Sequence, residues 1–194
     1  MYGIDTSARK VTFYDDGETK INTSTWELCG RAVASLLGLE IEELEKRFGN
    51  KGVYVSSFRV SQREMLDSVH RVLGTSDADW EIEFETTRQR YEDGMREMED
   101  GDQRGFAKGK FFSSLPFPPF SFQCPPPDQV TGKEDGELTE TIAMYARVFY
   151  PDGSGDYETS HGLDNQALGL PREDLDTATK RTIEMVNSGW NPFA

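Results

Sequence analysis

Across residues 52–98 the apolar positions change period twice, and each change marks an element. Val53, Tyr54 and Val55 form a β-branched and aromatic run that predicts a strand. Ser61-Gln62-Arg63-Glu64 follows with the spacing of a capping box, in which the Ser61 hydroxyl accepts from the third amide of a helix and Glu64 reaches back to the cap. Met65, Leu66, Val69, Val72 and Leu73 then recur at helical spacing on one face, and Gly74 supplies a left-handed stop. From Trp80 the period falls to that of a strand. Trp80, Ile82 and Phe84 alternate with Glu81, Glu83 and Glu85, so one side is apolar and the other carries carboxylates. A further helix is expected from Thr86 or Thr87.

The flanking segments read in the same way. Lys10–Tyr14 predicts a strand, Asp15-Asp16-Gly17 a hairpin turn, and 19–22 the return strand. Ser24-Thr25-Trp26-Glu27 has the spacing of a second capping box, opening a helix whose Leu28, Ala32, Val33, Leu36 and Leu37 form an apolar stripe that stops at Gly38. Residues 39–48 predict a short acidic helix with Leu39, Ile41, Leu44 and Phe48 inward and Glu42, Glu43, Glu45 and Lys46 in solvent. Towards the C-terminus, 147–150 lead into a turn over 151–156. A last helix is expected from near Glu173, with Leu175, Thr179, Ile183, Met185 and Val186 inward and a tail over 190–194. The class is mixed α/β: a hairpin, a β-α-β-α unit and C-terminal helices.

Residues 109–142 break the pattern. They contain PFPPFSFQCPPP, and prolines at 116, 118, 119, 125, 126 and 127 forbid both helix and central strand. One reading is a proline-rich surface loop, or a ligand for a groove that recognises polyproline conformations. Another is a translated intron. Gly109-Lys110 is what GGT AAG would encode at a donor site, the Phe, Pro, Ser and Leu bias is that of a pyrimidine tract, and Ile142-Ala143 fits an acceptor. With the segment removed, Phe106-Ala107-Lys108 meets Ala143-Met144-Tyr145, and one helical pattern places Phe106, Tyr145 and Phe149 on a single face. The chain therefore divides into a junction unit (1–38), a β-α-β-α core (39–108), an insert expected to be disordered (109–142) and a C-terminal part (143–194).

Composition narrows the function. The chain has 194 residues, enough to bury roughly two-thirds of its unfolded surface. A formal net charge of −14 argues against nucleic acid and against an anionic membrane surface. No apolar run reaches the ~18 residues of a membrane span and no leader pattern opens the chain, so cytoplasm is the expected location. Cys29 and Cys124 stand in unrelated contexts and read as separate thiols. No Cys/His spacing suggests a metal. His70 reads as a structural histidine, and Ser160, His161 and Asp164 lack a nucleophile elbow. Gly153-x-Gly155 is not a phosphate fingerprint, for want of a preceding strand and a third glycine.

Three stretches carry a resemblance: KVTFYDDGETKINTSTWELCGRAVASLL, NKGVYVSSFRVSQREMLDSVHRVLGTSDADW and YARVFYPDGSGDYETSHGLDNQALGLPREDLDTATKR. They resemble the C-terminal half of fungal isoflavone-reductase-like proteins, in the NmrA-like branch of the atypical short-chain dehydrogenases. The resemblance implies the small substrate domain of a protein whose N-terminal Rossmann half binds NADPH, here without a complete Rossmann domain. The glycine-rich turn and the lysine of the Rossmann half have no counterpart, so no catalytic and no cofactor-binding residue carries over, and none is expected to bind NADPH in this chain alone. Phe106, Tyr145 and Phe149 are candidate pocket residues, with core packing as the simpler alternative. The function implied is the substrate-covering domain of an NAD(P)H-dependent oxidoreductase acting on a small aromatic or secondary metabolite. The alternative is an NmrA-like regulatory or protein-interaction module without turnover, and a degenerate product without a stable fold is a third. Sequencing the native transcript should show an upstream glycine-rich half and a message that skips codons 109–142; a message that starts at Met1 and keeps them would remove the enzyme reading for this product.

Overall fold

The computed structural model describes residues 2–90 and 147–189. The predicted helix continuation through 103–108, the insert 109–142, Cys124 and the tail 190–194 lie outside them. The spine is strand β2 (Lys10–Tyr14), whose Val11, Phe13 and Tyr14 are fully buried. It pairs antiparallel with β1 (Ile4–Asp5), and parallel with the strand Glu81–Glu85, in a sheet that has β2 at its centre. The parallel register sets Val11 beside Ile82 and Phe13 beside Phe84. A separate antiparallel pair joins β3 (Ile21–Thr23) to β4 (Phe58–Val60). The architecture is mixed α/β, as expected.

The predicted hairpin of Lys10–Tyr14 with 19–22 does not form. Both edges of β2 are occupied by its two neighbours, so the returning chain has no edge to pair with and joins β4 instead. The turn itself is recruited elsewhere. Gly17 has φ 75°, a Cβ there would stand 2.5 Å from Phe13 Cδ1, and its carbonyl accepts from Arg63 N at 3.1 Å. Asp15-Asp16-Gly17 therefore seats the first turn of the helix that opens at Gln62. Val53, Tyr54 and Val55 are also not a ladder strand. Their backbone is held by loop residues: Tyr54 N donates to Asp164 Oδ2, Asp164 N donates to Tyr54 O, and the Tyr157 hydroxyl donates to Val55 O.

Helix α1 (Trp26–Leu37) starts one residue later than the spacing suggested, with Thr25 as its cap. The Thr25 hydroxyl accepts from Leu28 N, while Ser24 donates to Val55 O and Glu27 pairs with Arg181. Helix α2 (Ile41–Phe48) buries none of its residues, so the inward face expected of Leu39, Ile41, Leu44 and Phe48 is at best half-covered, and Ile41 is 73% exposed. Helix α3 (Gln62–Leu73) follows the reading closely. Ser61 and Glu64 complete the capping box, Gly74 is left-handed, and Met65, Leu66 and Val69 are buried, although Leu73 is 39% exposed. Strand β5 (Glu81–Glu85) buries Trp80 before it and half-buries Ile82. Phe84 is exposed on this outer strand of the described sheet, against the expected apolar side, and has the Phe13 ring 5.6 Å away. Helix α4 (Tyr157–His161) was not foreseen, and α5 (Leu175–Asn187) begins where expected. Ile183 is buried, but Val186 is half-exposed and outside the core predicted for it.

Adjacent residues of α3 serve two apolar clusters. Met65 joins Tyr14, Ile21, Val60 and Phe149; Leu66 joins Val11, Phe13, Val69 and Trp80. Between them lies Gln62, fully buried, whose Oε1 accepts from Tyr14 N at 2.7 Å and whose Nε2 donates to Tyr2 O at 2.7 Å and Thr12 O at 3.0 Å. Two aspartates then tie the C-terminal segment down. Arg59 donates twice to Asp156, at 2.9 and 2.6 Å. Arg71 donates twice to Asp176 at 2.7 Å, with Ser68 donating to the same carboxylate and bonded to Thr179.

Two outcomes follow from these contacts. Gln62→Ala removes the side-chain hydrogen bonds to Tyr14 N, Tyr2 O and Thr12 O and should lower stability by about 3 kcal/mol in denaturant melts, whereas Gln166→Ala on the surface should change it little. The second concerns acid. The side-chain bonds from Arg59 hold the Asp156 carboxyl at about 2, and those from Arg71 and Ser68 hold Asp176 at about 2, both below their unfolded values. Their stabilisation is complete above the unfolded carboxylate range and is lost as pH falls through the folded values. Thermal melts should therefore fall between about pH 4 and 2, and the Asp156→Asn/Asp176→Asn variant should flatten that fall.

Candidate functional site

In open α/β sheets ligands bind beyond the carboxyl ends of parallel strands. Here that edge is formed by Tyr14 and Asp15 after β2 and by Glu85, Thr86 and Thr87 after β5. Asp15 has φ 56° and donates its amide to Glu85 O at 2.8 Å. Its carboxylate accepts from the Thr87 hydroxyl at 2.6 Å and from Thr87 N at 3.2 Å, at the point where helical structure begins. One turn on, Arg90 pairs with Glu85 and lies 5.7 Å from the centre of the Tyr14 ring. Arg90 Nε is buried without a hydrogen-bond partner among the described residues. Burial pushes the Tyr14 phenol well above the ordinary tyrosine range, with Arg90 opposing the shift, so the ring is neutral at any physiological pH. The carboxylates on this edge are engaged by an arginine and a threonine, and Arg90 Nε is the one buried side-chain polar atom left over among the described residues.

The opening turn of α3 is occupied as well. Arg63 N donates to Gly17 O, Glu64 N to the Ser61 hydroxyl and Met65 N to Ser61 O. Arg63 also places its guanidinium 4.2 Å from the centre of the Phe13 ring. A helix start that would otherwise attract an anion is used here to hold the Asp15-Asp16-Gly17 turn. The amides of this helix start are therefore taken up within the chain.

Of the three candidate pocket residues, Phe106 and Tyr145 lie outside the described residues. Phe149 sits in a 3₁₀ turn (Arg147–Phe149), 1% exposed, with its ring 5.6 Å from Tyr14 and 5.9 Å from Tyr2. It backs the carboxyl edge through Tyr14 from within the core. The remaining constellations have structural partners. His70 bonds Thr75 and Asp77 through its two ring nitrogens at 3.0 Å and meets the edge of Trp80, which makes it a staple between α3 and the loop into β5. Ser160 donates to backbone oxygens of Asp156 and Tyr157, His161 stacks on Tyr54 at 4.5 Å, and Asp164 accepts from Tyr54 N. Ser160 thus turns back on its own helix while His161 and Asp164 both engage Tyr54, and none of these contacts joins two members of the trio. Glu81 and Glu83 share Lys10, whose ammonium is held above its ordinary range by the Glu83 and Glu81 hydrogen bonds. Among the described residues no group of three or more His, Cys, Asp or Glu could hold a metal ion, and no helix is long and apolar enough to cross a membrane.

What the sequence reading missed is on α1. The core side of this helix takes Leu28 and Ala32, with Leu36 half-buried. Val33 and Leu37, expected in the same stripe, point away. Together with Trp26 they form a second stripe at heptad-like spacing, 68%, 54% and 79% exposed for Trp26, Val33 and Leu37, with Ile41 next in the chain. The other tryptophan of the described residues, Trp80, is buried against α3. A signal was present. Trp26, Leu28, Cys29, Ala32, Val33, Leu36 and Leu37 together cover about half of the helix circumference, wider than the stripe a single packed face needs. Scans against protein-family models, curated proteins and solved structures found no match to the chain.

Proposed function

We propose that the chain is the substrate-covering part of an NAD(P)H-dependent oxidoreductase of the isoflavone-reductase-like, NmrA-like kind, acting in the cytoplasm on a small aromatic or secondary metabolite. It works docked to a nucleotide-binding unit and is inactive alone. The observation that carries this reading is the outward stripe of α1. Lone soluble domains seldom leave so continuous an apolar surface uncovered. This one lies within residues 1–38, the unit that the resemblance puts against the Rossmann half.

The division of labour has a physical basis. Hydride transfer needs a nicotinamide held at a fixed distance from its acceptor, and that chemistry belongs to the cofactor and the unit that seats it. The described residues supply a rigid wall instead. Gln62 locks β1, β2 and α3 together, and the clasp of Arg71 on Asp176 holds α5 on α3. A wall of that kind excludes water and orients a substrate over a cofactor bound elsewhere.

Mixing the chain with the isolated nucleotide-binding half of an isoflavone-reductase-like enzyme should give a complex by calorimetry and NADPH-dependent reduction of an aromatic acceptor. The Val33→Asp/Leu37→Asp variant should weaken the complex at least about tenfold, while the chain alone should leave NADPH fluorescence unchanged. A complex without turnover would move the assignment to a regulatory module. Tight NADPH binding by the chain alone would overturn it.

A further inference from the structure

The last turn of α3 carries His70, whose side chain is 12% exposed and whose two ring nitrogens are both engaged at 3.0 Å, Nε2 with Asp77 Oδ1 and Nδ1 with Thr75 Oγ1. Trp80 Nε1 donates to the same Thr75 oxygen at 3.1 Å, and its indole stands nearly perpendicular to the imidazole, 5.7 Å away. We infer that His70, Thr75 and Trp80 form a proton relay, in which proton uptake by the imidazole reverses the Thr75 hydroxyl and weakens its bond to the indole at the root of β5. Trp80 packs with Val11, Phe13, Leu66 and Val69, and the next residue, Glu81, opens the strand by donating its amide to Arg9 O. The relay therefore runs from the end of a helix to the point where a loop becomes a strand.

Donor counting sets the direction of each bond. The Asp77 carboxylate is an acceptor, so the neutral ring carries its hydrogen on Nε2 and the bare Nδ1 takes the hydroxyl hydrogen of Thr75. The threonine oxygen is left to accept from the indole, and all three side chains are satisfied. A proton on Nδ1 breaks this order. The ring then donates from both nitrogens, Thr75 Oγ1 accepts from imidazolium and indole together, and its own hydrogen turns to solvent, which the half-buried Thr75 can reach. A hydroxyl that donates is the stronger acceptor, so the indole bond is stronger beside the neutral ring. The charges around the ring come from three elements. Asp77 in the loop faces Nε2, and its other oxygen accepts from Arg63 of α3 at 3.2 Å. Asp79 interacts electrostatically with His70 and with Arg9 ahead of β2, and the Ser76 amide and hydroxyl hold its carboxyl below the ordinary range.

The test is a pH titration of the nitrogen-15-labelled full chain by magnetic resonance, with its three indoles assigned through Trp26→Phe and Trp190→Phe. At about pH 8 the neutral His70 ring should carry its hydrogen on Nε2; between about pH 8 and 5.5 the Trp80 indole N–H should move upfield along the same curve as the ring. Thr75→Val keeps the side-chain shape without the hydroxyl, so the ring should still titrate while the indole shift is lost. Thr75→Ser, which keeps the hydroxyl, should keep the shift. His161→Asn should leave the shift in place, and its loss there would assign the titration to the other histidine and overturn the relay. A neutral ring with its hydrogen on Nδ1 overturns it, as does an indole that stays still while the ring titrates. An indole shift that survives Thr75→Val reports the ring charge acting directly through space and overturns it too. The tautomer and indole readings need no change at the relay itself, so the inference stays open to refutation even where a Thr75 variant fails to fold.

Discussion

The side-chain amide of Gln62 occupies a place that water does not reach, and it completes the hydrogen bonding of three backbone groups there: Tyr14 N, Tyr2 O and Thr12 O. An unmade bond at such a site costs far more than a made one contributes, so this amide fixes where β1, β2 and the first turn of α3 can be relative to one another. Gly3 follows from it, because a Cβ at that position would stand 2.8 Å from Gln62 Nε2 and still closer to Thr12 O. The split of α3 between two apolar clusters follows as well. Gln62 anchors the helix at the seam, Met65 turns to the Tyr14 side and Leu66 to the Phe13 side.

Around that anchor the chain is closed by charge-assisted clasps more than by apolar area. Asp156 on Arg59 and Asp176 on Arg71 each make bidentate contacts across long sequence separations, and Glu173 gathers the hydroxyls of Thr25 and Ser57. In a chain of net charge −14 these aspartates and this glutamate are among the acids that have a local counterpart.

The same allocation bears on chemistry. The carboxyl edge of the parallel pair has the position of a ligand site, yet its Asp15, Glu85, Thr87 and Arg90 are bound to one another, and the opening turn of α3 grips a turn of the chain. Groups that could have met a phosphate serve the fold. Among the described residues the outward side of α1, with Val33 and Leu37 exposed, is the apolar surface that stands out.

Residues 61–74 were legible because every determinant of that helix is local: Ser61 and Glu64 are three residues apart, the apolar face repeats at the helical period, and Gly74 ends it by its own backbone freedom. Strands β2 and β5 and the start of α5 were legible for the same reason. What local pattern does not contain is who pairs with whom. Residues 19–22 read as a return strand because a turn preceded them, and only the occupied edges of β2 sent Ile21–Thr23 to β4. Gln62 looked like one polar residue inside a capping box, and its burial exists only once β1 and β2 arrive from outside the helix. In α1 the sequence determined a broad apolar arc, about half of the helix circumference, but a periodic pattern does not say which part of it the rest of the chain will cover. Tertiary packing decided that, by placing Leu28 and Ala32 inward and leaving Trp26, Val33 and Leu37 exposed.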